Sequence, residues 1–217
     1  MSETLVKSKE RVAAHGEVFT PAWLVEDMLN LIKDETFRID SRTLEPACGS
    51  GNFLCPVLER KLTTVRARYA KSDFENRHFA LLALMNIYGI EILADNAAEC
   101  RENLLKIFAD YLKLNLEDDD AWIRAARAVL ELNIVQGDAR QMTKVDGSPL
   151  MFSEWAYLGK GKFQRRDFKF SHLTLRGAVT PADKQPGGDL FAELDDDAFR
   201  PEKTFPPLGA EEIGGAK

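Results

Sequence analysis

The chain has 217 residues, of which 45% are hydrophobic, so it can bury one ordinary core and we expect one main domain. Its formal net charge is −6 and its sequence pI is about 5.3. That balance excludes a protein that holds nucleic acid by neutralising phosphates over its whole surface. Any nucleic acid would need a local basic face or a partner subunit.

The cysteines and the apolar runs exclude further classes. Cys48, Cys55 and Cys100 show no paired spacing, which is typical of a reducing compartment, and the N-terminus has charges where a signal peptide needs its apolar core. We therefore expect a cytoplasmic protein. No apolar run reaches the ~18 residues that a membrane span needs, so we expect no membrane role.

The first predicted elements are a polar segment, a helix, a short strand and a second helix. Residues 1–15 are polar and charged and are expected to be either a flexible lead or a helix that docks on the domain. Apolar residues recur at helical spacing over Pro21–Lys33, which begins with a proline suited to a first helical turn. A strand is predicted at Thr43–Glu45, and a helix runs from Asn52 to about Ala70.

The next elements continue the alternation of strands and helices. In chain order they are a helix ending at Leu81–Met85, a strand at Ile87–Ile90, a helix capped by Asp95 and running to about Leu112, a helix at Ala121–Leu132, and a strand at Ile134–Gln136. The order β-α-β-α-β, with polar residues at each strand end, predicts an α/β doubly wound sheet of parallel strands.

The pattern weakens beyond Asp138. Leu150–Phe152 is the candidate for a fourth strand and Asp167–Leu175 for a fifth, so we expect a sheet that is incomplete on its C-terminal side. From Gly177, proline, glycine and acidic residues dominate, which predicts a largely disordered acidic tail over 177–217. The predicted organisation is thus a lead at 1–15, one domain at 16–176 and this tail.

The most informative segment is Leu44–Leu54, with the sequence LEPACGSGNFL. A strand that ends in an acidic residue and a glycine turn that opens a helix together form a backbone cradle at the carboxyl edge of a sheet. Only Gly49 and Gly51 are present, whereas the dinucleotide fingerprint has three glycines, so a dinucleotide site is disfavoured.

This segment resembles the first cofactor motif of the N6-adenine DNA methyltransferases, which wraps the methionine part of S-adenosylmethionine. Gly16–Pro21, with the sequence GEVFTP, resembles the loop that precedes that motif in the same family. The resemblance implies a Rossmann-like methyltransferase fold that uses S-adenosylmethionine, with no metal. The cofactor-binding residues assigned on this basis are Phe19, Thr20, Pro21, Glu45, Ala47, Gly49, Gly51, Asn52, Phe53, Glu91, Ile92, Asp138 and Ala139.

Carboxylates end three successive predicted strands, and a doubly wound fold brings such ends to one edge. Glu91 is positioned to accept from both ribose hydroxyls, and Ile92 to pack on the purine. The resemblance places Asp138 at the adenine amino group, whereas Glu45 would face the charged methionine end. A solvated strand end or a helix cap is the ordinary alternative for each carboxylate taken alone.

Enzymes of the family that methylate amines carry an Asn or Asp, two prolines and an aromatic residue after the fourth strand, and this tetrad is absent from the sequence. Ser153, Glu154 and Trp155 stand where it is expected. Glu154 is suited to accept from an amine and Trp155 to stack on a flipped base, which makes a substitute catalytic site one interpretation. A strand end with a packed tryptophan is the alternative.

The sequence has one concentrated basic run, formed by Lys160, Lys162, Arg165 and Arg166 and interleaved with aromatic residues. Such mixing suits phosphate contact and base stacking, so these four residues are candidates for nucleic-acid binding. The alternative interpretation is a solvated hairpin tip.

The resemblance covers about residues 16–139 and is closest to the modification subunits of restriction-modification systems. No target-recognition domain is recognisable, so the chain looks like a curtailed methyltransferase that depends on a partner. The expected function is transfer of a methyl group from S-adenosylmethionine to N6 of adenine in DNA. The alternative is a catalytically silent subunit that binds S-adenosylmethionine and a partner protein. Methylation of RNA, protein or a small molecule is disfavoured by the paired motifs.

Overall fold

The structure is a computed structural model that describes residues 7–172 and 200–215. Its helices are α1 (Lys9–His15), α2 (Ala22–Leu31), α3 (Lys33–Phe37), α4 (Leu54–Tyr69), α5 (Asp73–Met85), α6 (Ala94–Leu112), α7 (Ala121–Asn133) and α8 (Ala210–Ile213). Its strands are β1 (Thr43–Glu45), β2 (Ile87–Glu91), β3 (Ile134–Gln136), β4 (Met151–Gly159), β5 (Lys162–Lys169) and β6 (Lys203–Thr204). No helix in these residues has both the length and the apolar character that crossing a bilayer requires.

The strands β1, β2 and β3 form a parallel sheet in that order. Glu45 pairs with Gly89, and Glu91 pairs with Gln136, so the carboxyl ends of all three strands share one edge. The predicted bounds of β1 and β3 and the alternation of strands with helices are confirmed. The chain therefore has a mixed α/β fold.

The two faces of this parallel sheet are covered differently. Ile87 and Ile134 belong to the large core that also contains the buried sides of α4, α5, α6 and α7. Residues on the other face, among them Tyr88, Ile90 and Val135, form a second apolar cluster. That cluster is closed by Leu150, Phe152 and Phe170. Because side chains alternate between the faces of a strand, the short strand β2 serves both cores.

A buried lysine fixes the approach of the chain to β1. Lys61 of α4 has no solvent exposure, and its Nζ donates to Arg38 O at 2.7 Å, to Ser41 O at 2.5 Å and to Ser41 Oγ at 2.8 Å. Burial lowers the pKa of Lys61 to about 8. These bonds satisfy the Lys61 ammonium, which would otherwise be buried without partners, and they tie α4 to the α3–β1 connection.

The expectation of two further strands at Leu150–Phe152 and Asp167–Leu175 is only partly correct. The chain instead forms a hairpin in which β4 and β5 pair antiparallel in a separate sheet that β6 extends. Its turn is made by Gly159, Lys160 and Gly161, all at positive φ, a conformation that glycine tolerates well. The part of the predicted fifth strand beyond residue 172 lies outside the described residues.

The C-terminal residues 200–215 pack against the core, so the predicted disorder does not extend to them. Ala210 and Ile213 of α8 are buried, and β6 pairs antiparallel with β5 of the hairpin. The Lys162 Nζ also donates to Glu212 Oε2 at 2.7 Å. The apolar segments in residues 200–215 are short and flanked by proline and glycine, so their sequence shows no hydrophobic periodicity that would predict packing. The rest of the predicted tail, residues 177–199 and 216–217, lies outside the described residues.

Replacing Ile213 by alanine tests whether α8 belongs to the folded core. Removal of a buried isoleucine side chain is expected to cost about 2–4 kcal/mol of unfolding free energy. Urea denaturation of the full chain measures it, with the exposed Glu211→Ala in the same helix as control. Equal stabilities for the two variants would return residues 200–215 to the disordered tail.

Candidate functional site

A cavity of about 300 Å³ opens at the carboxyl ends of β1 and β2. It is formed by the N-terminal loop before α2, by the turn between β1 and α4, and by the segment from β2 into α6. The residues that line it are Gly16, Glu17, Val18, Phe19, Thr20, Glu45, Ala47, Cys48, Gly49, Asn52, Phe53, Glu91, Ile92, Leu93 and Asn96. The structure therefore brings together the two motifs that the sequence analysis paired.

Glycines allow the turn after β1 to fold tightly against its neighbours. Gly49 and Gly51 have φ of +53° and +101°, in the region that favours glycine. A Cβ on Gly51 would lie 3.1 Å from the Cys55 Sγ, and one on Gly89 in β2 would lie 2.8 Å from the Cys48 Sγ. Because Gly49, Gly51 and Gly89 have no Cβ, the turn, β2 and α4 can approach one another closely.

Glu91 joins the end of β2 to this turn. Its Oε2 accepts from the Gly49 N–H at 2.8 Å and its Oε1 accepts from the Leu93 N–H at 2.9 Å. The residue is only 7% exposed, so these bonds compensate for the cost of burying a carboxylate. Because each carboxylate oxygen can accept more than one hydrogen bond, Glu91 can still accept from a ligand in the cavity.

Glu45, at the end of β1, also lines the cavity and has a different environment. Burial raises its pKa from the ordinary value, and a hydrogen bond from the Ala47 backbone opposes that rise. No side chain among the described residues forms an ion pair with it. Glu45 therefore presents an uncompensated acidic group to whatever occupies the cavity.

The N-terminal loop closes one side of the cavity. The Phe19 ring lies over Gly49, where a Cβ would be 3.4 Å from the Phe19 Cε1. Asn52 at the start of the next segment donates to Thr20 O at 3.5 Å. The two motifs are therefore in contact. Pro21 is the N-cap of α2, which begins at Ala22, and it does not line the cavity.

Polar contacts between α1 and the start of α6 hold this loop, and we call Arg11, Glu17, Asp95 and Asn96 the N-terminal latch. Arg11 Nη1 donates to Asp95 Oδ2 at 2.5 Å, and its Nε donates to Glu17. Asn96 Nδ2 donates to Glu17 Oε1 at 2.5 Å. The Arg11 guanidinium lowers the pKa of both carboxyls. Asp95 thus serves the latch, while Leu93 is the N-cap of α6 in place of the predicted Asp95.

Two apolar side chains stand at the mouth of the cavity. Val18 and Ile92 line it, yet they are 59% and 53% exposed. Exposed aliphatic groups beside a cleft provide surfaces on which a flat ring can pack. The contact of Ile92 with a purine stays a prediction.

Asp138 and Ala139 follow β3 at the same edge of the sheet but do not line the cavity. The Asp138 Oδ1 accepts from the backbone N–H groups of Arg140 and Gln141 at 2.8 and 3.1 Å, which caps a turn. Its Oδ2 has no hydrogen bond within the part of the chain that the structure describes. Gly51, which lies within the turn after β1, also does not line the cavity.

The structure places Ser153, Glu154 and Trp155 away from this cavity. Arg42, which precedes β1, pairs with Glu154 at 2.6 Å, and Arg166 pairs with its other oxygen at 2.5 Å. Arg42 lies at the amino ends of the parallel strands, opposite to the cavity. Glu154 is thus held between two guanidinium groups at the wrong end of the sheet for chemistry at the cavity.

The two neighbours of Glu154 are buried in structural contacts. Ser153 Oγ donates to Asp167 Oδ1 at 2.8 Å, and its carbonyl accepts from the Tyr88 hydroxyl at 2.9 Å. Trp155 is 8% exposed, and its Nε1 donates to Asn133 Oδ1 at 3.4 Å. These positions correspond to the packed-tryptophan alternative, so we assign the three residues no part in the chemistry.

The basic run is largely neutralised within the chain. Lys162 pairs with Glu212, Arg165 pairs with Asp167 at 2.7 Å, and Arg166 pairs with Glu154. The Arg165 guanidinium also lies over the Phe205 ring, 4.3 Å from its centroid. Lys160, at the exposed turn, has no ion pair among the described residues. The partners of Lys162 and Arg166, which are Glu212 and Glu154, are distant in sequence, so the basic run alone did not indicate these ion pairs.

The cysteines serve packing. Cys48, Cys55 and Cys100 are free. Burial raises the pKa of Cys55 to about 12, and contact with Cys48 together with burial raises the pKa of Cys100. A thiol that stays protonated is a poor nucleophile. Within residues 7–172 and 200–215, no group of His, Cys, Asp and Glu side chains is arranged to hold a metal ion.

Six lining residues were not assigned to the cofactor from the sequence, namely Gly16, Glu17, Val18, Cys48, Leu93 and Asn96. The first four lie inside the two recognised motifs, so their positions were available as a signal. Asn96 lies in the first turn of α6, where an amide looks like an ordinary surface residue. It is only 1% exposed because Lys7, Arg11 and Glu17 all bond to it.

The fold and the site define an α/β protein with a ligand cavity at the carboxyl ends of parallel strands. The family model described as N-6 DNA Methylase matches residues 3–183. The chain therefore belongs to the N6-adenine DNA methyltransferase family. Searches of curated proteins and of solved structures return no significant match.

The N-terminal latch predicts that Arg11→Ala loosens the wall of the cavity. Without the guanidinium, Glu17 and Asp95 lose their shared partner, so exchange of the amides of residues 9–20 is expected to accelerate severalfold. Hydrogen–deuterium exchange measures this. Arg38→Ala, which removes exposed ion pairs with Glu35 and Asp40, is the matched control. Unchanged exchange in Arg11→Ala would show that the latch does not hold the loop.

Proposed function

We propose that this chain binds S-adenosylmethionine in the cavity and serves the transfer of its methyl group to N6 of adenine in DNA. The observation that carries the proposal is the charge of the lining. Glu45 and Glu91 contribute carboxylates without an ion-pair partner among the described residues, and Glu17 contributes one that Arg11 neutralises, whereas no Lys, Arg or His is among the lining residues. Such a site favours a cationic ligand and disfavours the phosphates of a dinucleotide.

The other features of the cavity fit the same ligand. Its volume of about 300 Å³ is at the lower end of the range for small-molecule sites. S-adenosylmethionine combines a purine, a ribose and a methionine part with a sulfonium and an amino group. The apolar mouth at Val18 and Ile92 suits the purine, and the acidic interior suits the cationic groups.

Roles for the chain's residues follow from their positions. Glu91 would accept from the ribose hydroxyls with the lone pairs that Gly49 and Leu93 leave free. Glu45 would pair with the amino group of the methionine part. The Phe19–Pro21 loop would close over the carboxylate. The free Oδ2 of Asp138 would accept from the adenine amino group once the ligand extends beyond the mouth.

The cofactor would supply an electrophilic methyl group on a sulfonium, so direct displacement by an amine needs neither a metal nor a covalent enzyme intermediate. The work of the chain is then orientation and exclusion of water. The turn after β1 fixes one end of the ligand through its backbone, and the N-terminal loop shields it. Partial burial of Glu45 strengthens its attraction for a cation.

A second function is favoured by a specific observation, namely that Glu154 is saturated by Arg42 and Arg166. The described residues therefore bring no replacement for the missing tetrad to the cavity. On this alternative the chain binds S-adenosylmethionine but transfers no methyl group unless another polypeptide supplies the groups that hold the base.

Calorimetric titration with S-adenosylmethionine tests the cofactor site. Glu45→Gln is expected to weaken binding by about 1–3 kcal/mol because a charge-assisted contact is lost. Burial raises the pKa of Glu45, so affinity for the cation should fall as pH drops through that raised value. In Glu45→Gln this pH dependence should flatten. The exposed Glu59→Gln is the control, and an affinity that is identical in both variants would remove Glu45 from the site.

Mass spectrometry of nucleosides tests the reaction. DNA is taken from a methylation-free host that expresses the full chain or its Asp138→Ala variant. N6-methyladenine that appears with the native chain and declines in the variant is the outcome expected of an active enzyme. Absence of the modification, together with calorimetric binding of S-adenosylmethionine, would favour the silent subunit.

A further inference from the structure

A second cavity, of about 500 Å³, lies at the opposite ends of the parallel strands. Arg42 and Asn86, which directly precede β1 and β2, both line it, so we call it the amino-end cavity. No residue lines both this cavity and the one at the carboxyl ends. Its volume lies within the range of small-molecule sites. The chain therefore has a second place where a small ligand fits.

Backbone hydrogen bonds hold the wall of the amino-end cavity. The buried Lys61 donates to Arg38 O and to Ser41 O, which fixes the segment that carries Asp40 and Arg42. The residue after Arg42 donates its backbone N–H to Asn86 O at 3.0 Å, which brings the residues before β1 and β2 together. The wall is thus part of the folded core, and the groups on it are held in place before a ligand arrives.

The lining of the amino-end cavity carries more positive than negative charge. It contains the guanidinium groups of Arg42 and Arg68 and one carboxylate, that of Asp40. Asp40 already pairs with Arg38 at 3.4 Å, and Arg42 shares Glu154 with a second guanidinium. Arg68 is exposed and forms no ion pair with any residue that the structure describes. An anion is therefore favoured here, whereas the lining at the carboxyl ends has no basic side chain.

Aromatic rings form another part of the lining. Tyr69 and Phe79 are stacked, with ring centroids 4.0 Å apart, and Tyr157 meets Phe79 edge-on at 5.3 Å. All three line the cavity and are partly exposed. Flat heterocycles stack on such rings with little dependence on their identity. The lining therefore suits a ligand that combines an anionic group with a flat ring.

Asn86 adds a hydrogen-bond acceptor that the protein does not use. The residue is only 4% exposed, and its Nδ2 donates to Leu82 O at 2.8 Å, which fixes the orientation of the amide. Its Oδ1 accepts no hydrogen bond from the described residues. Among these residues, His172 Nδ1 is the one side-chain polar atom that is both unpaired and fully buried, so Asn86 Oδ1 keeps an opening to solvent. The cavity that Asn86 lines is this opening, and a ligand N–H can bind there.

We propose that the amino-end cavity binds a small anion whose flat ring carries an amino group, which is the chemistry of a nucleoside monophosphate. The phosphate pairs with Arg68 and with Arg42, the base packs on the rings of Tyr69 and Tyr157, and its amino group donates to Asn86 Oδ1. This ligand is neither the methyl donor nor the methyl acceptor of the proposed function. The inference therefore goes beyond that function and does not depend on it.

A series of ligands tests the three contacts one at a time. The full chain is titrated by calorimetry with adenosine monophosphate, adenosine, ribose phosphate and inosine monophosphate. Adenosine lacks the anion, ribose phosphate lacks the ring, and inosine monophosphate has a carbonyl in place of the amino group. We expect adenosine monophosphate to bind, and each of the others to bind at least about tenfold more weakly, because each leaves one group of the site unpaired or uncovered.

A pair of variants tests the position of the anion. Arg68→Ala is expected to weaken binding of adenosine monophosphate by about tenfold, because a charge-assisted contact is lost. Arg66→Ala is the matched control, since Arg66 is in the same last turn of α4 and its guanidinium lies 5.0 Å from the Tyr111 ring centroid, away from this cavity. Its affinity should equal that of the native chain. Thermal unfolding shows that both variants fold.

Three outcomes would overturn the proposal. They are no binding of adenosine monophosphate at millimolar concentration, equal affinities for adenosine and inosine monophosphates, and equal losses in the two arginine variants. Saturating S-adenosylmethionine should leave the affinity for adenosine monophosphate unchanged. Displacement would place the nucleotide in the cavity at the carboxyl ends, which would contradict this inference and support the cofactor site. A chain that binds no S-adenosylmethionine, yet loses the nucleotide only in Arg68→Ala, would contradict the cofactor site and support the amino-end cavity.

Discussion

The site depends on the two hydrogen bonds that Glu91 accepts from Gly49 and Leu93. They join the ends of two parallel strands through backbone donors, so the turn after β1 and the start of α6 move as one unit. A carboxylate in this position would be costly to bury without such donors. The glycine at position 89 lets Cys48 approach β2 closely enough for this arrangement to form.

The parallel sheet and the cavity were predictable because their determinants are local. Strand bounds, the glycine turn and the acidic residue at each strand end can all be read within a few residues. A hairpin tip was one interpretation of the basic run, but the strand register that pairs Glu154 with Arg166 could not be predicted, because the two residues are 12 positions apart in the chain. The latch joins residues 84 apart, so no local pattern indicates that Arg11 meets Asp95.

The two motifs and the missing tetrad point to a division of labour within the family fold. In the proposed function, the cavity that would bind the cationic cofactor is formed by elements up to α6, and Asp138 after β3 would complete it. Recognition of the base has no counterpart among the described residues near the cavity. The hairpin covers the second face of the sheet, and among the described residues the outer edges of β1 and β3 pair with no further strand.

The ion pair between Arg11 and Asp95, which helps to hold the wall of the cavity, lies near the protein surface. Asp95 is 56% exposed and Arg11 is 26% exposed, so dissolved ions reach their contact. At physiological ionic strength, the screening length of about 8 Å already weakens such pairs. The residence time of a bound ligand would then shorten as salt rises, even where its contacts inside the cavity are unchanged. Ionic strength would act on the lifetime of the complex through the N-terminal segment.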